Sequence, residues 1–171
     1  EGNLKLVYGD TYGYTYSTFG LTKGKWYWEV TPAITGSHDH TGVGFQDMDV
    51  LYDPTAYPVA NVYVYGNTGD TTSPAGDGAT YGDSYTTEII GIALDLDNGK
   101  TYFSKSGTWQ NSGDPTSGAT GTGAAFSITV NSTYSPYCSD DSASTSSVSY
   151  LVNFGSPPYA NSSSNADGNG Y

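Results

Sequence analysis

The chain has a single cysteine, Cys138, so no disulfide can form within it; 171 residues must hold together by packing alone. A lone thiol does not identify a redox compartment. Cations are scarce: Lys and Arg total five against 17 Asp and Glu, a net charge of -12. Nucleic acid and anionic membrane surfaces both need a basic footprint, so neither is expected as a partner. No apolar run approaches the length that spans a bilayer. No window keeps the 3.6-residue periodicity of an amphipathic helix. Glutamate occurs only at Glu1, Glu29 and Glu88, which leaves little material for paired-carboxylate chemistry. The first residue is Glu1, with no Met or signal-like segment, so a processed chain or part of a longer one is expected.

Tyrosine supplies much of the missing apolar area. Seventeen Tyr lift the aromatic fraction to 15% in a chain only 36% hydrophobic, and 23 Gly with 8 Pro point to many turns and short strands. The fold class is all-β. The clearest element spans 89–107, IIGIALDLDNGKTYFSKSG, where Ile90, Ile92, Leu94 and Leu96 alternate with Ile89, Gly91, Ala93 and Asp95. Asn98-Gly99 suits a two-residue hairpin turn. That turn sets Asp97 opposite Lys100, Leu96 opposite Thr101, Asp95 opposite Tyr102 and Leu94 opposite Phe103.

Other strands surround the hairpin. GKWYWEVT at 24–31 places Trp26, Trp28 and Val30 on one face, and both tryptophans are expected in the core. Tyr12, Tyr14 and Tyr16 share one face of an earlier strand. TGVGF at 41–45 is so rich in glycine that another backbone or side chain must approach it closely. Residues 59–65, 126–130 and 148–154 alternate as further strands. Residues 66–84 and 108–123 read as long polar loops, and 139–147 as a low-complexity turn. Strands at this spacing make a two-sheet sandwich over 1–160, with 161–171 an Asn/Ser/Gly-rich tail or linker.

Four segments occur in a telling order: GKWYWEV at 24–30, GVGF at 42–45, the 89–107 hairpin, and VNFGSPPY at 152–159. Together they resemble a SPRY domain. Thr87-Glu88 stands where that family usually has Gly-Asp, and Ser106 where Asn precedes the glycine; both keep turn or surface chemistry. The resemblance implies a bent antiparallel β-sandwich that binds partners through loops at one end, without catalysis. It carries over no contact residues. The segments 109–126 and 153–171 look like SPRY-like domains of bacteriophage structural proteins, marine and metagenomic ones included, more than the modules of eukaryotic signalling proteins. In such relatives the chain usually runs on, so Tyr171 is expected to be a truncation or the limit of an ordered region.

Few residues offer chemistry. His38-Asp39-His40 presents imidazole and carboxylate, but nothing nearby completes a four-ligand zinc set. Asp70, Asp77 and Asp83 lie in one Gly-rich stretch, yet their spacing fits no calcium loop, and a solvated loop is expected. Gly36-Ser37-His38 lacks a nucleophile elbow. The sequons at Asn131 and Asn161 are what an Asn/Ser-rich chain produces by chance. No enzyme, metal or cofactor is expected. The expected role is a binding or assembly module, displayed on a virion as a tail-fibre, appendage or capsid-decoration part, or otherwise extracellular. Its partners would be protein, either copies of itself or other virion subunits, or a host glycan. Loops rich in Tyr, Asp, Ser and Gly suit such recognition, and Tyr52, Asp53, Tyr57, Asp77, Tyr81, Asp83, Tyr85 and Trp109 are the candidates. A subunit of an extracellular filament of an uncultured microbe and a carbohydrate-binding module of a larger enzyme are the alternatives.

Overall fold

Side chains that alternate along short strands need a second layer to cover their apolar face, and the computed structural model supplies it. It describes residues 4–9, 13–35, 41–50, 61–140 and 147–155. The strands are β1 (Lys5–Tyr8), β2 (Gly13–Tyr16), β3 (Lys25–Ile34), β4 (Gly42–Asp47), β5 (Val62–Gly66), β6 (Asp70–Ser73) and β7 (Gly76–Thr80). They continue with β8 (Ile90–Asp95), β9 (Lys100–Lys105), β10 (Thr108–Trp109), β11 (Phe126–Ser127), β12 (Tyr134–Asp140) and β13 (Val148–Asn153). One sheet runs β1-β13-β3-β8-β9-β10, with β11 also on β9; the other runs β2-β12-β4-β5-β6-β7. Every pairing is antiparallel. Helix among the described residues is limited to two 3-10 turns, Gln110–Ser112 and Gly118–Thr120. The expected all-β sandwich is the fold.

Between the sheets, Trp28, Val30, Ile90, Ile92, Leu94 and Phe103 meet Val43, Phe45, Tyr65, Tyr134 and Cys138. The glycine-rich strand behaves as expected. A Cβ on Gly44 would lie 1.9 Å from the Tyr63 carbonyl oxygen of β5, so bare backbone is what lets the two strands close. Residues 110–123, expected as a loop, form an ordered cap. The Asp114 carboxylate accepts from the Thr116 N–H at 2.9 Å, and the Ser117 hydroxyl lies 3.1 Å from that of Tyr102, whose ring is buried on the outer face of the first sheet.

Several expectations need correction. In the hairpin, Asp95 faces Lys100, Leu94 faces Thr101, Ala93 faces Tyr102 and Ile92 faces Phe103, two residues away from the two-residue-turn register. The Asp95 carboxylate is the reason. It accepts from the N–H groups of Asp97 (3.1 Å) and Asn98 (3.0 Å), which stretches the turn to four residues, with Gly99 alone at positive φ (63°). A shift of two leaves every side chain on its expected face. Residues 66–84 are not a loop but hold the β6–β7 hairpin; its residues carry no apolar face because it sits at a sheet edge. The 126–130 strand is two residues long, and Val130 is exposed. Tyr12 and the 161–171 tail lie outside the described residues.

The tryptophans divide. Trp28 is 3% exposed, whereas Trp26 is 45% exposed, its indole Nε1 donating to the Lys23 carbonyl at 2.8 Å and holding the ring at the lip of the sandwich. Trp28→Ala is therefore expected to cost about 3–5 kcal/mol in urea unfolding, and Trp26→Ala under about 1 kcal/mol. Equal costs would contradict this division.

Candidate functional site

Four residues is short for a strand, and β1 and β2, the neighbouring edges of the two sheets, are both that length. They belong to different sheets and do not pair, and a cleft of about 70 Å³ opens between them. Its floor is Trp28 and Val30 from β3, Pro136 and Cys138 from β12, and Val152 from β13. Leu6, Thr15, Tyr16, Ser17 and Phe154 form its lips. The Ser17 N–H donates to the Pro136 carbonyl (2.9 Å), and the Ser135 hydroxyl donates to the Ser17 carbonyl (3.0 Å), tying one lip to β12. Tyr8 bridges the two sheets beside the cleft by donating its hydroxyl to the Cys138 carbonyl at 3.0 Å. Burial pushes the Cys138 thiol up to about 12, so it is an inert apolar wall and not a nucleophile.

The rim is aromatic and exposed. Tyr14 and Tyr16 are 46% and 47% exposed, and Phe19 and Phe154 meet edge to face at 5.1 Å while both remain exposed. Tyr14 stacks on Tyr137 at 6.2 Å, against the Val62, Val64 and Tyr137 cluster on the outer face of the second sheet, so it lies beside the cleft and not in its lining. The charge pattern is as marked as the shape. In a chain of net charge -12, residues 11–28 contain no carboxylate, seven aromatics, and Lys23 and Lys25. Of the described residues on β1, β13 and the 147–155 stretch, none is acidic, and Lys5 is the only charge. Large apolar side chains clustered around a concave, uncharged surface are the mark of a docking site.

The sequence-predicted site residues do not gather here. Tyr52, Asp53 and Tyr57 lie outside the described residues, as do His38, Asp39 and His40. Tyr81 and Tyr85 are core, which corrects their reading as a contact surface. Tyr85 is 1% exposed and donates to the Tyr65 carbonyl at 2.7 Å; Tyr81 packs edge-on against Tyr65 at 5.7 Å and donates to the Gly123 carbonyl at 3.2 Å. A hydroxyl that finds a carbonyl inside removes the need to face water. Asp83 is exposed, its N–H held by the Gln110 side-chain oxygen at 2.9 Å, which places it beside Trp109. Trp109 is half-buried, edge-on to Tyr27 at 6.3 Å. Asp77 lies apart on β7, accepting from the Thr72 hydroxyl at 2.7 Å. Asp70, Asp77 and Asp83 therefore share no loop, and no group of three His, Cys, Asp or Glu among the described residues is placed to hold a metal. The signal that would have found the cleft is the acid-free run 11–28, visible only when charge is read by position.

Neither a protein-family model nor a curated relative matches the sequence. Structural comparison is decisive where sequence comparison is silent. The SPRY domain of human HERC1 superimposes with a TM-score of 0.67 over 91% of each chain, at 17% identity. The fold is SPRY-like. The SPRY-like motifs map onto its centre: GKWYWEV lies at the start of β3, GVGF in β4, and the hairpin is β8–β9, with β3 and β8 adjacent.

Proposed function

We propose that this domain is a non-catalytic binding module whose working surface is the aromatic mouth between β1 and β2, and that it engages protein, as a surface-displayed component of a viral particle or another extracellular assembly. The observation that carries this reading is an apolar cleft with no charged residue in its lining and exposed aromatics, Tyr16 and Phe154, at its lips, in a chain whose charge is otherwise strongly acidic. Exposed Tyr and Phe give contact area at little conformational cost, and clustered near a pocket they act as anchors. The SPRY-like fold and the resemblance of the 109–126 and 153–171 segments to phage structural proteins support the same reading. A glycan stacked on Trp109 and Tyr27 is the competing ligand, favoured by their half-exposed edge-to-face pair.

A photo-crosslinking residue placed at Tyr16, in the chain purified with the assembly it comes from, tests this. The expected result is cross-linking to a neighbouring protein from position 16 and none from exposed Thr120 on the cap. Equal yields from both positions would contradict the proposed surface. Saturable binding to a printed glycan, lost on Trp109→Ala, would move the function to the sugar.

A further inference from the structure

The two free edges of the second sheet, among the described strands, are built to opposite specifications. At one, β2 presents Tyr14 and Tyr16, with Lys5 on neighbouring β1 and no carboxylate in residues 4–9 or 13–24. At the other, β7 is Gly-Asp-Gly-Ala-Thr, exposed along its whole length. A Cβ added at Gly76 or Gly78 would meet nothing within 4 Å, so the space above this edge is open. Acid gathers on that side: Asp70, Asp77 and Asp83 fall within residues 67–84, which contain no Lys or Arg.

We propose that these edges dock head to tail, β2 of one copy against β7 of the next. The inference rests on the aromatic mouth being the binding surface and names its partner as a second copy of this chain. Bulk meets space in this arrangement, because the tyrosine rings of β2 lie over glycines and an alanine. Charge also matches. Two chains of net charge -12 repel over most of their surface, but the β2 edge has no exposed carboxylate among the described residues and has Lys5 on neighbouring β1, so it meets the acidic β7 edge with less repulsion. A two-fold contact loses this match, since β2 on β2 joins two tyrosine-bearing edges, and β7 on β7 joins two acidic ones. Gly78 at φ 77° and the register break between Thr71 and Thr72 kink β7, so side-chain docking, with backbone pairing confined to the Ala79–Thr80 end, makes the contact. A heterologous contact of this kind repeats from copy to copy, as a ring or a filament.

Sedimentation equilibrium of the chain, with two double variants, tests the proposal. Tyr14→Ser with Tyr16→Ser removes the bulk from β2; Asp77→Lys with Ala79→Arg reverses the charge of β7 and fills its space. The wild type is expected to gain mass with concentration, and to lose that gain at about 1 M salt, where charges are screened within a few ångströms. Each variant alone should be a monomer. Their equimolar mixture should form dimers and nothing larger, because each retains one intact edge. Lys5→Glu, exposed and remote from the core, should weaken wild-type association about tenfold at low salt, which guards against loss of fold in the tyrosine variant. A monomeric wild type would overturn the proposal, as would a β7 variant that self-associates like wild type, or a mixture that stays monomeric. Cross-linking from Tyr16 to a different protein, with a monomeric wild type, would overturn self-docking while leaving the binding surface in place.

Discussion

Raising the pH through 10 should unfold this protein cooperatively, with most of its stability lost by about pH 11–12. Four tyrosine rings, Tyr65, Tyr85, Tyr134 and Tyr150, are at most 1% exposed. Each donates its hydroxyl to a backbone carbonyl: Tyr65 to Asp83, Tyr85 to Tyr65, Tyr134 to Thr129 at 2.9 Å and Tyr150 to Ser139 at 2.8 Å. Ionisation would leave an oxyanion facing a carbonyl oxygen away from water. Burial, the largest cause in every case, therefore raises all four pKa values, and it pushes Tyr81 up to about 12. The folded state holds its protons to a higher pH than the unfolded chain, whose tyrosines ionise near 10. The stabilisation is thus fully present below pH ~10 and is lost as pH rises from there toward the folded values. Each such group removes about 1.4 kcal/mol per pH unit in that window, so four remove about 5 kcal/mol per unit, against a total stability of about 5–15 kcal/mol. Tyrosinate absorbance should rise in two stages, exposed rings first and the buried ones together with the near-UV circular dichroism. A single smooth titration of all 17 Tyr with the fold intact would refute this. Tyr85→Phe should lose about 1 kcal/mol at neutral pH and move the alkaline midpoint upward, since it removes one ionising group.

The same tyrosines show where sequence reading reaches its limit. Period two was enough to put Leu94 and Phe103 on the core face, because a two-residue slip preserves faces; it did not set the register, which depends on Asp95 capturing backbone N–H groups. The β6–β7 hairpin escaped because its residues are small and mostly polar, so even with Thr71 buried no apolar alternation reveals it. Tyrosine is apolar in body and polar at its tip, so whether Tyr85 sits inside or Tyr16 outside turns on which hydroxyl meets a carbonyl. That is settled by strands far apart in sequence: Tyr150 reaches Ser139 on the opposite sheet, and Tyr8 reaches Cys138 across 130 residues. The cleft followed from the same cause. It lies between β1 and β2, but its floor comes from β3, β12 and β13.

Gly44→Ala should cost at least about 5 kcal/mol, or abolish folding, although it adds one methyl group. Strands of a sheet approach to about 4.8 Å, and glycine is needed where no room remains for a Cβ. At Gly44 the added carbon would lie 1.9 Å from the Tyr63 carbonyl oxygen and 2.9 Å from its carbonyl carbon, both rigid backbone that no rotamer change can clear. Relief requires β4 and β5 to part in the middle of the second sheet, where Phe45 is stacked on Tyr63 at 5.0 Å and both pack against Phe126. The clash thus spreads into the aromatic core, and the loss exceeds that of a simple surface substitution. Gly9→Ala is the matched control: Gly9 is exposed, with nothing within 4 Å of an added Cβ and no left-handed backbone, so its effect should be within about 0.5 kcal/mol or slightly stabilising. Urea unfolding of the two variants side by side checks the contrast. A Gly44→Ala protein as stable as the Gly9→Ala control would mean that β4 and β5 do not close on each other at this position.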